Sequence, residues 1–225
     1  MNALLLFTGH LKGVCFDQKY MQHYDIMCRS VFLSCENVLI TYQNMFGTVR
    51  NTRNYSSQQQ SIDKCLQILK DKISKLKIKV VDEIFDNTTL GVAYPKRYIQ
   101  MIRTIRQGLK MASSPRDIVI RMRPDSGTPG INGIWSLRTW RSLTRLQEYD
   151  VVQYGTWRLS KQNMYVNGDN CFAATWNTFE NFTFFWQNEF YDDYLNQKRR
   201  RVFEFTMNTV AKRHGYRLLP NPELI

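Results

Sequence analysis

Four short apolar runs in the first half of the chain predict buried strands. Each run holds apolar, often β-branched residues in nearly unbroken order and ends at polar or turn-forming residues, which is typical of strands in a parallel sheet. The runs cover residues 3–8, 36–43, 77–84 and the apolar part of 116–131.

The segments between these runs carry apolar residues at spacings of three and four, which indicates helices with one buried face. This spacing predicts helices over 20–35, 61–74 and 95–112, with a polar loop at 51–60. Because parallel neighbours need a crossover connection, strands that alternate with helices predict an α/β fold with a mainly parallel sheet. In such sheets the ligand lies outside the carboxyl ends of the strands.

The second half of the chain differs, with shorter apolar pieces and all five tryptophans. Extended pieces are predicted at 149–155 and 162–168, followed by a helix over 169–185. A basic helix over 197–214 is expected to end at Gly215, because glycine is the commonest residue just after a helix. These features predict a smaller lobe with mixed strands.

Polar residues follow directly on the fourth apolar run, where Arg121, Arg123 and Asp125 precede a turn rich in glycine and proline. In one interpretation the strand simply ends in a proline turn that Asp125 caps. In the other, the arginines meet an anion, since buried guanidinium groups need an anionic partner. The diphosphate of a nucleotide sugar would be such an anion, and Asp125 would help to hold its divalent cation.

Asp169 follows Gly168 where an extended piece is predicted to turn into a helix. One interpretation makes it an N-cap residue. The other makes it a general base that deprotonates an acceptor hydroxyl, and one residue can do both.

Composition narrows the class of protein only partly. The 225 residues carry 31 Lys and Arg against 19 Asp and Glu, a formal net charge of +12 that favours anionic partners. The five cysteines show no CxxC pair, which favours free thiols in a reducing compartment. No apolar stretch is long enough for a membrane span, so we expect a cytoplasmic protein.

Three further groups of residues are weaker candidates. His10 follows the first strand and lies near the expected nucleotide. Gln100 and Arg103 lie on the helix before the fourth strand, where a solvated basic face that includes Arg106 and Lys110 is the simpler interpretation. Asp192 and Asp193 resemble a DxD metal motif only loosely.

Four motifs occur in one order along residues 3–180: TGHLKG, the pair Thr41-Tyr42, DIVIRMRPD and GDNCFAAT. In this order they resemble the motifs of small GT-A-type glycosyltransferases from large DNA viruses and bacterial surface-polysaccharide clusters. No motif is highly specific alone. The sequence departs from the family at two positions, with Lys12 where arginine is commoner and Arg123 where a DxD motif has its first acid.

The resemblance implies a GT-A-like domain over residues 1–225, with a nucleotide-binding half at 1–125 and an acceptor half at 126–225. Helices would cover both faces of its sheet. It further implies roles for individual residues. Thr8 and Gly9 would line the nucleotide. Together with the candidates from the residue pattern, the expected donor-binding residues are Thr8, Gly9, His10, Tyr42, Gln100, Arg103, Arg121 and Arg123. Asp125 would ligate Mn²⁺ or Mg²⁺, and Asp169 would be the catalytic base beside the acceptor.

The resulting hypothesis is a transferase that moves a sugar from a nucleotide-sugar donor to a hydroxyl of a glycan or glycoprotein, in the host cytoplasm if the protein is viral. Inverting and retaining mechanisms both remain open. Two alternatives are a nucleic-acid-binding protein that uses the basic surface, and a non-catalytic relative that binds sugar nucleotides. The first predicts basic and aromatic residues on one face. The second predicts donor binding without turnover.

Overall fold

The computed structural model describes residues 1–9, 25, 31–42, 63–64, 66–71, 73, 76–81, 93–123, 141–154, 157–159, 164–166, 171–195 and 203–219. These residues form an α/β fold with a mixed, mainly parallel sheet. The strands are β1 (Asn2–Thr8), β2 (Ser34–Tyr42), β3 (Leu76–Val81), β4 (Ile118–Met122), β5 (Asp150–Tyr154), β6 (Trp157–Leu159), β7 (Met164–Val166), β8 (Cys171–Thr175) and β9 (Arg217–Leu219). The helices are α1 (Ala93–Met111), α2 (Trp176–Leu195) and α3 (Phe203–His214), with a 3₁₀ turn at Leu143–Arg145.

Seven of the described strands form one sheet in the order β3-β2-β1-β4-β8-β5-β9, and β6 pairs with β7 separately. Within the seven-stranded sheet only β8 runs against its neighbours, since it pairs antiparallel with both β4 and β5. The other pairings are parallel. The predicted mainly parallel sheet is therefore confirmed, and strands from both halves of the chain join it.

Most predicted elements in the described residues are confirmed, and two predicted helices are wrong at one end. The runs at 3–8, 36–43 and 77–84 correspond to β1, β2 and β3, and residues 63–64 and 66–71 are helical as expected. The helix predicted over 169–185 is wrong at its start, because residues 171–175 form β8 and α2 begins only at Trp176. Gly215, at φ 72°, ends α3 as predicted.

Two other predicted segments fall mainly outside the described residues. Of the helix expected over 20–35, Asp25 is helical, but its last two residues, 34 and 35, belong to β2. The polar loop at 51–60 lies wholly outside the described residues.

Helical segments cover both faces of the sheet, and two apolar clusters fill the space between the layers. One cluster joins β1, β4 and β8 residues to α1, α2 and α3, with Trp186 as its largest fully buried side chain. The other joins the opposite face to Leu69, Ile73 and Phe32. Helix α1 lies so close to β1 that a Cβ at Gly108 would be 2.1 Å from Leu6 Cδ1.

A charged cluster at the amino ends of β2 and β3 joins four segments of the fold. Glu36 accepts hydrogen bonds from Lys77 Nζ at 2.7 Å, Arg116 Nη2 at 2.7 Å and the Ser113 amide at 2.8 Å. Lys77 also donates to the carbonyl of Met111 at the end of α1. Because this cluster lies at the edge opposite the carboxyl ends, its role is to hold the sheet and α1 together.

Candidate functional site

The order of the strands reverses between β1 and β4, and we call the region outside the carboxyl ends of these two strands the crevice. From β1 the chain proceeds outward to β2 and β3 on one side, and then returns through α1 to β4 on the other side of β1. Open α/β sheets bind ligands at such a reversal, outside the carboxyl ends of the two strands concerned. The residues at these ends are Thr8 and Gly9 after β1, and Met122 and Arg123 at β4.

Gly9 gives the end of β1 a backbone shape that other residues rarely adopt. Its φ is 138°, and its amide donates to the carbonyl of Ile40 in β2 at 3.2 Å. Only glycine takes this conformation without a steric penalty. The requirement for glycine here is therefore local and physical, and the absent side chain also leaves room for close approach to the backbone.

Arg121 is the buried cation of the site. Its side chain is fully buried, and Nε donates to Thr8 Oγ1 at 2.9 Å while Nη2 donates to the Thr8 carbonyl at 3.3 Å. The guanidinium carbon lies 6.0 Å from the ring centroid of Phe172. A buried charge is costly unless polar groups surround it, so these bonds fix the end of β1 to β4.

Two residues that sequence reasoning missed extend this site across the sheet. Phe172 of β8 lies opposite Arg121 on one side and opposite Gln153 of β5 on the other. Gln153 is fully buried, and its Nε2 contacts the sulfur of Met207 at 3.7 Å. The only signal in the sequence is a lone amide within the apolar strand DVVQY, which does not reveal its neighbours.

Cys171 begins β8 at the same edge of the sheet and pairs with Met122. Burial raises the pKa of its thiol far above the ordinary value, and the nearby charge of Arg121 offsets this only in part. The thiol is therefore neutral at physiological pH and packs as a small apolar group. It does not supply the negative charge that the arginines would attract.

The predicted site residues fall into three groups. Thr8, Gly9, Arg121 and Arg123 lie together at the crevice, and β2 ends with Tyr42 at the same edge of the sheet. On α1, Gln100 is half-buried and Arg103 is exposed. His10, Asp125 and Asp169 lie outside the described residues.

The N-cap interpretation of Asp169 assumed a helix over 169–185, but residues 171–175 form β8, and Asp169 itself lies outside the described residues. Asp169 precedes β8 by two residues, and the helix that follows starts at Trp176. The strand register nevertheless shows at which edge of the sheet β8 begins. Because β8 is reversed, it begins at the edge where β4 and β5 end, with Cys171 opposite Met122 and Tyr154.

The described side chains at the crevice suit an anion. They are the guanidinium groups of Arg121 and Arg123 and the hydroxyl of Thr8. The described residues contain no group of three or more His, Cys, Asp or Glu that could hold a metal, and Asp125 lies outside them. Asp193, in the loosely DxD-like pair, accepts from Arg213 Nη2 at 2.8 Å and is 7% exposed. That contact joins α2 to α3.

No protein-family model matches this chain, and no curated protein matches its sequence. Among the described residues, no helix is both long enough and apolar enough to cross a membrane.

Proposed function

We propose that the protein is a GT-A-like glycosyltransferase that moves a sugar from a nucleotide-sugar donor to a hydroxyl acceptor. The observation that carries the proposal is the buried Arg121, bonded to Thr8 at the point where the strand order reverses. The order of the four sequence motifs supports the same class. The seven-stranded sheet with helical segments on both faces agrees with the fold that the resemblance implies.

Arg121 and Arg123 would have different roles in the proposed site. Arg121 is fully buried and bonded to Thr8, so its proposed role is to position the end of β1. Arg123 is partly exposed just beyond β4 and would contact the donor diphosphate. A guanidinium group suits this role because its planar N–H groups match two phosphate oxygens.

In the inverting version of the reaction, Asp169 takes the proton of the acceptor hydroxyl. At the same time the oxygen of that hydroxyl bonds to the anomeric carbon of the donor sugar. The bond from that carbon to the diphosphate breaks, and the electron pair leaves with the nucleoside diphosphate. Arg123 would stabilise the developing negative charge. Asp125 is the proposed ligand of Mn²⁺ or Mg²⁺, an ion that neutralises diphosphate charge when it is bound.

The test is release of nucleoside diphosphate from a panel of nucleotide sugars, with mixed glycan acceptors and with or without Mn²⁺. The proposal predicts release from at least one donor, lost in Arg123→Ala and retained in Lys70→Ala, an exposed control among the helical residues 66–71. Donor binding without release would favour the non-catalytic relative. The absence of both binding and release would overturn the proposal and leave nucleic-acid binding as the alternative.

A further inference from the structure

The outward side of α1 carries an unusual concentration of positive charge. Over its 19 residues the helix has five basic residues and no acidic one. Arg103, Arg106 and Lys110 follow each other at spacings of three and four, so they lie on one face of the helix, and Arg103 and Lys110 are exposed. At 1.5 Å per residue, the two ends of this row are about 10 Å apart along the axis.

Within the described part of the chain, no ion pair neutralises these cations. The ion pairs of the described residues join Glu36, Asp150, Glu189 and Asp193 to basic groups elsewhere in the fold. None of them involves Arg103, Arg106 or Lys110. Three adjacent cations that form no ion pair with a described carboxylate attract anions.

An exposed aromatic ring adjoins this row. The guanidinium carbon of Arg106 lies 4.9 Å from the ring centroid of Phe184 in α2. Its Nη1 is shielded from solvent and has no hydrogen-bond partner. Phe184 is 45% exposed and meets Phe185 edge to face at 5.7 Å. One cation is thus already stacked on a ring that is still open to a ligand.

We infer that the basic-aromatic face, formed by Arg103, Arg106, Lys110 and Phe184, binds single-stranded nucleic acid without sequence preference. Proteins that do so combine cations for the phosphates with aromatic rings on which bases stack. Here Arg103 and Lys110 contact phosphates and Phe184 stacks a base, while Arg106 remains against the opposite side of the Phe184 ring. None of these four residues is among Thr8, Gly9, Arg121 and Arg123, the residues at the crevice, so the inference does not depend on the proposed transferase.

The apolar area of the face decides against a membrane or an acidic protein as its main partner. Phe184 is the only exposed large apolar side chain that the described residues of α1 and α2 contribute, since the others in the described chain are Leu33, Val80 and Tyr149. An interfacial membrane helix needs an apolar face of several residues, and a stable protein interface needs a broader patch. Stacking one base needs only one ring.

The experiment measures binding of a fluorescent oligothymidylate to the full chain by anisotropy, at several salt concentrations. Binding should weaken with salt, and Lys110→Ala should lower the salt slope by about 0.7. Phe184→Ala should weaken binding at least about fivefold at every salt concentration. Glu180→Gln, which removes an acid one turn before Phe184, should strengthen binding, and Lys70→Ala should change nothing.

Two parallel titrations, with heparin and with anionic phospholipid vesicles, separate the alternatives. Phe184→Ala should leave heparin binding unchanged, because heparin has no bases to stack. The inference is overturned if the oligonucleotide does not bind at low salt, or if Phe184→Ala leaves the affinity for the oligonucleotide unchanged. It is also overturned if Lys70→Ala lowers the salt slope as much as Lys110→Ala does. The same holds if Phe184→Ala weakens binding to vesicles but not binding to the oligonucleotide.

Discussion

The guanidinium of Arg121 is bonded to Thr8 through both the hydroxyl and the carbonyl of that residue, across 113 positions of sequence. The contact joins the carboxyl ends of β1 and β4, the two strands between which the order of the sheet reverses. Because Arg121 is fully buried, the bonds to Thr8 have little competition from water. The pair therefore fixes the walls of the proposed donor crevice relative to each other.

A double-mutant cycle tests this relationship. Thr8→Val leaves the Nε of a buried guanidinium without its acceptor and should lower the free energy of unfolding by about 1–3 kcal/mol. In an Arg121→Met background the same change should cost less, with a coupling of at least about 0.5 kcal/mol in urea unfolding.

Thr183 supplies the matched control for this cycle. It is a buried threonine in α2 whose hydroxyl donates to the carbonyl of Phe179 within the same helix. Thr183→Val should be additive with Arg121→Met. Additivity of Thr8→Val as well would show that the Thr8 contact contributes nothing specific.

Gly9→Ala should destabilise the protein and also weaken donor binding. At a φ of 138° an alanine is strained by about 1–3 kcal/mol, and relief of that strain would displace the end of β1. Gly215→Ala is the control, because Gly215 also has positive φ but lies before β9 at the opposite edge of the sheet. Both variants should unfold at lower urea concentration, and only Gly9→Ala should lose nucleotide affinity. Equal affinities would contradict the assignment of Gly9 to the crevice.

The cluster around Glu36 predicts how stability depends on pH. Burial raises the pKa of this carboxyl, but hydrogen bonds from Lys77, Arg116 and Ser113 outweigh it and lower the pKa from 4.5 to about 2. Because the folded-state pKa is depressed, the contribution of Glu36 is fully present above pH 4.5 and is lost as the pH falls toward 2.

Glu36→Gln should therefore lower the free energy of unfolding at pH 7 by about 2–3 kcal/mol and flatten its decline between about pH 5 and 2. Arg116→Met should raise the pKa of Glu36, so the stabilisation that ionised Glu36 contributes should be lost at a higher pH than in the parent. Urea unfolding across this range measures both effects. Parallel curves for the parent and Glu36→Gln would exclude Glu36 as the source of the pH dependence.

Asp169→Asn separates binding from chemistry at the proposed site. The amide cannot accept the proton of the acceptor hydroxyl, so transfer should fall by about 10²- to 10⁴-fold, while donor affinity stays within about twofold. Asp125→Ala should instead weaken donor binding measured with Mn²⁺. A fully active Asp169→Asn would exclude that residue as the base, whatever the class of the enzyme.

The sequence predicted the central strands well because their physics is local. β1 and β4 are buried on both faces, so they appear as apolar runs interrupted only near their carboxyl ends, by Thr8 and Arg121. β8 was missed because five residues, CFAAT, are too few to separate a strand from the helix that follows them. β8 is a strand because it pairs with β4 on one side and with β5 on the other. This position buries Phe172 on one face of the sheet and Ala173 on the other.

The candidate site was predictable only in its parts. The positions of Thr8 and Arg121 at strand ends followed from the apolar pattern, but nothing in the sequence indicated that the two residues bond to each other. Gln153 and Phe172 entered the site through the position of β8 in the sheet. The order of the strands decides which distant residues meet, and short-range periodicity carries no information about that order.

The most direct measurement of the central claim is a thermal-shift panel of nucleotides and nucleotide sugars, with and without Mn²⁺, on the parent, Arg123→Ala and Lys70→Ala. We predict that at least one nucleoside diphosphate or its sugar raises the melting temperature of the parent and of Lys70→Ala, and that Arg123→Ala loses most of the shift. If no nucleotide shifts the parent, or if Arg123→Ala responds as the parent does, the crevice between β1 and β4 does not bind the donor as proposed.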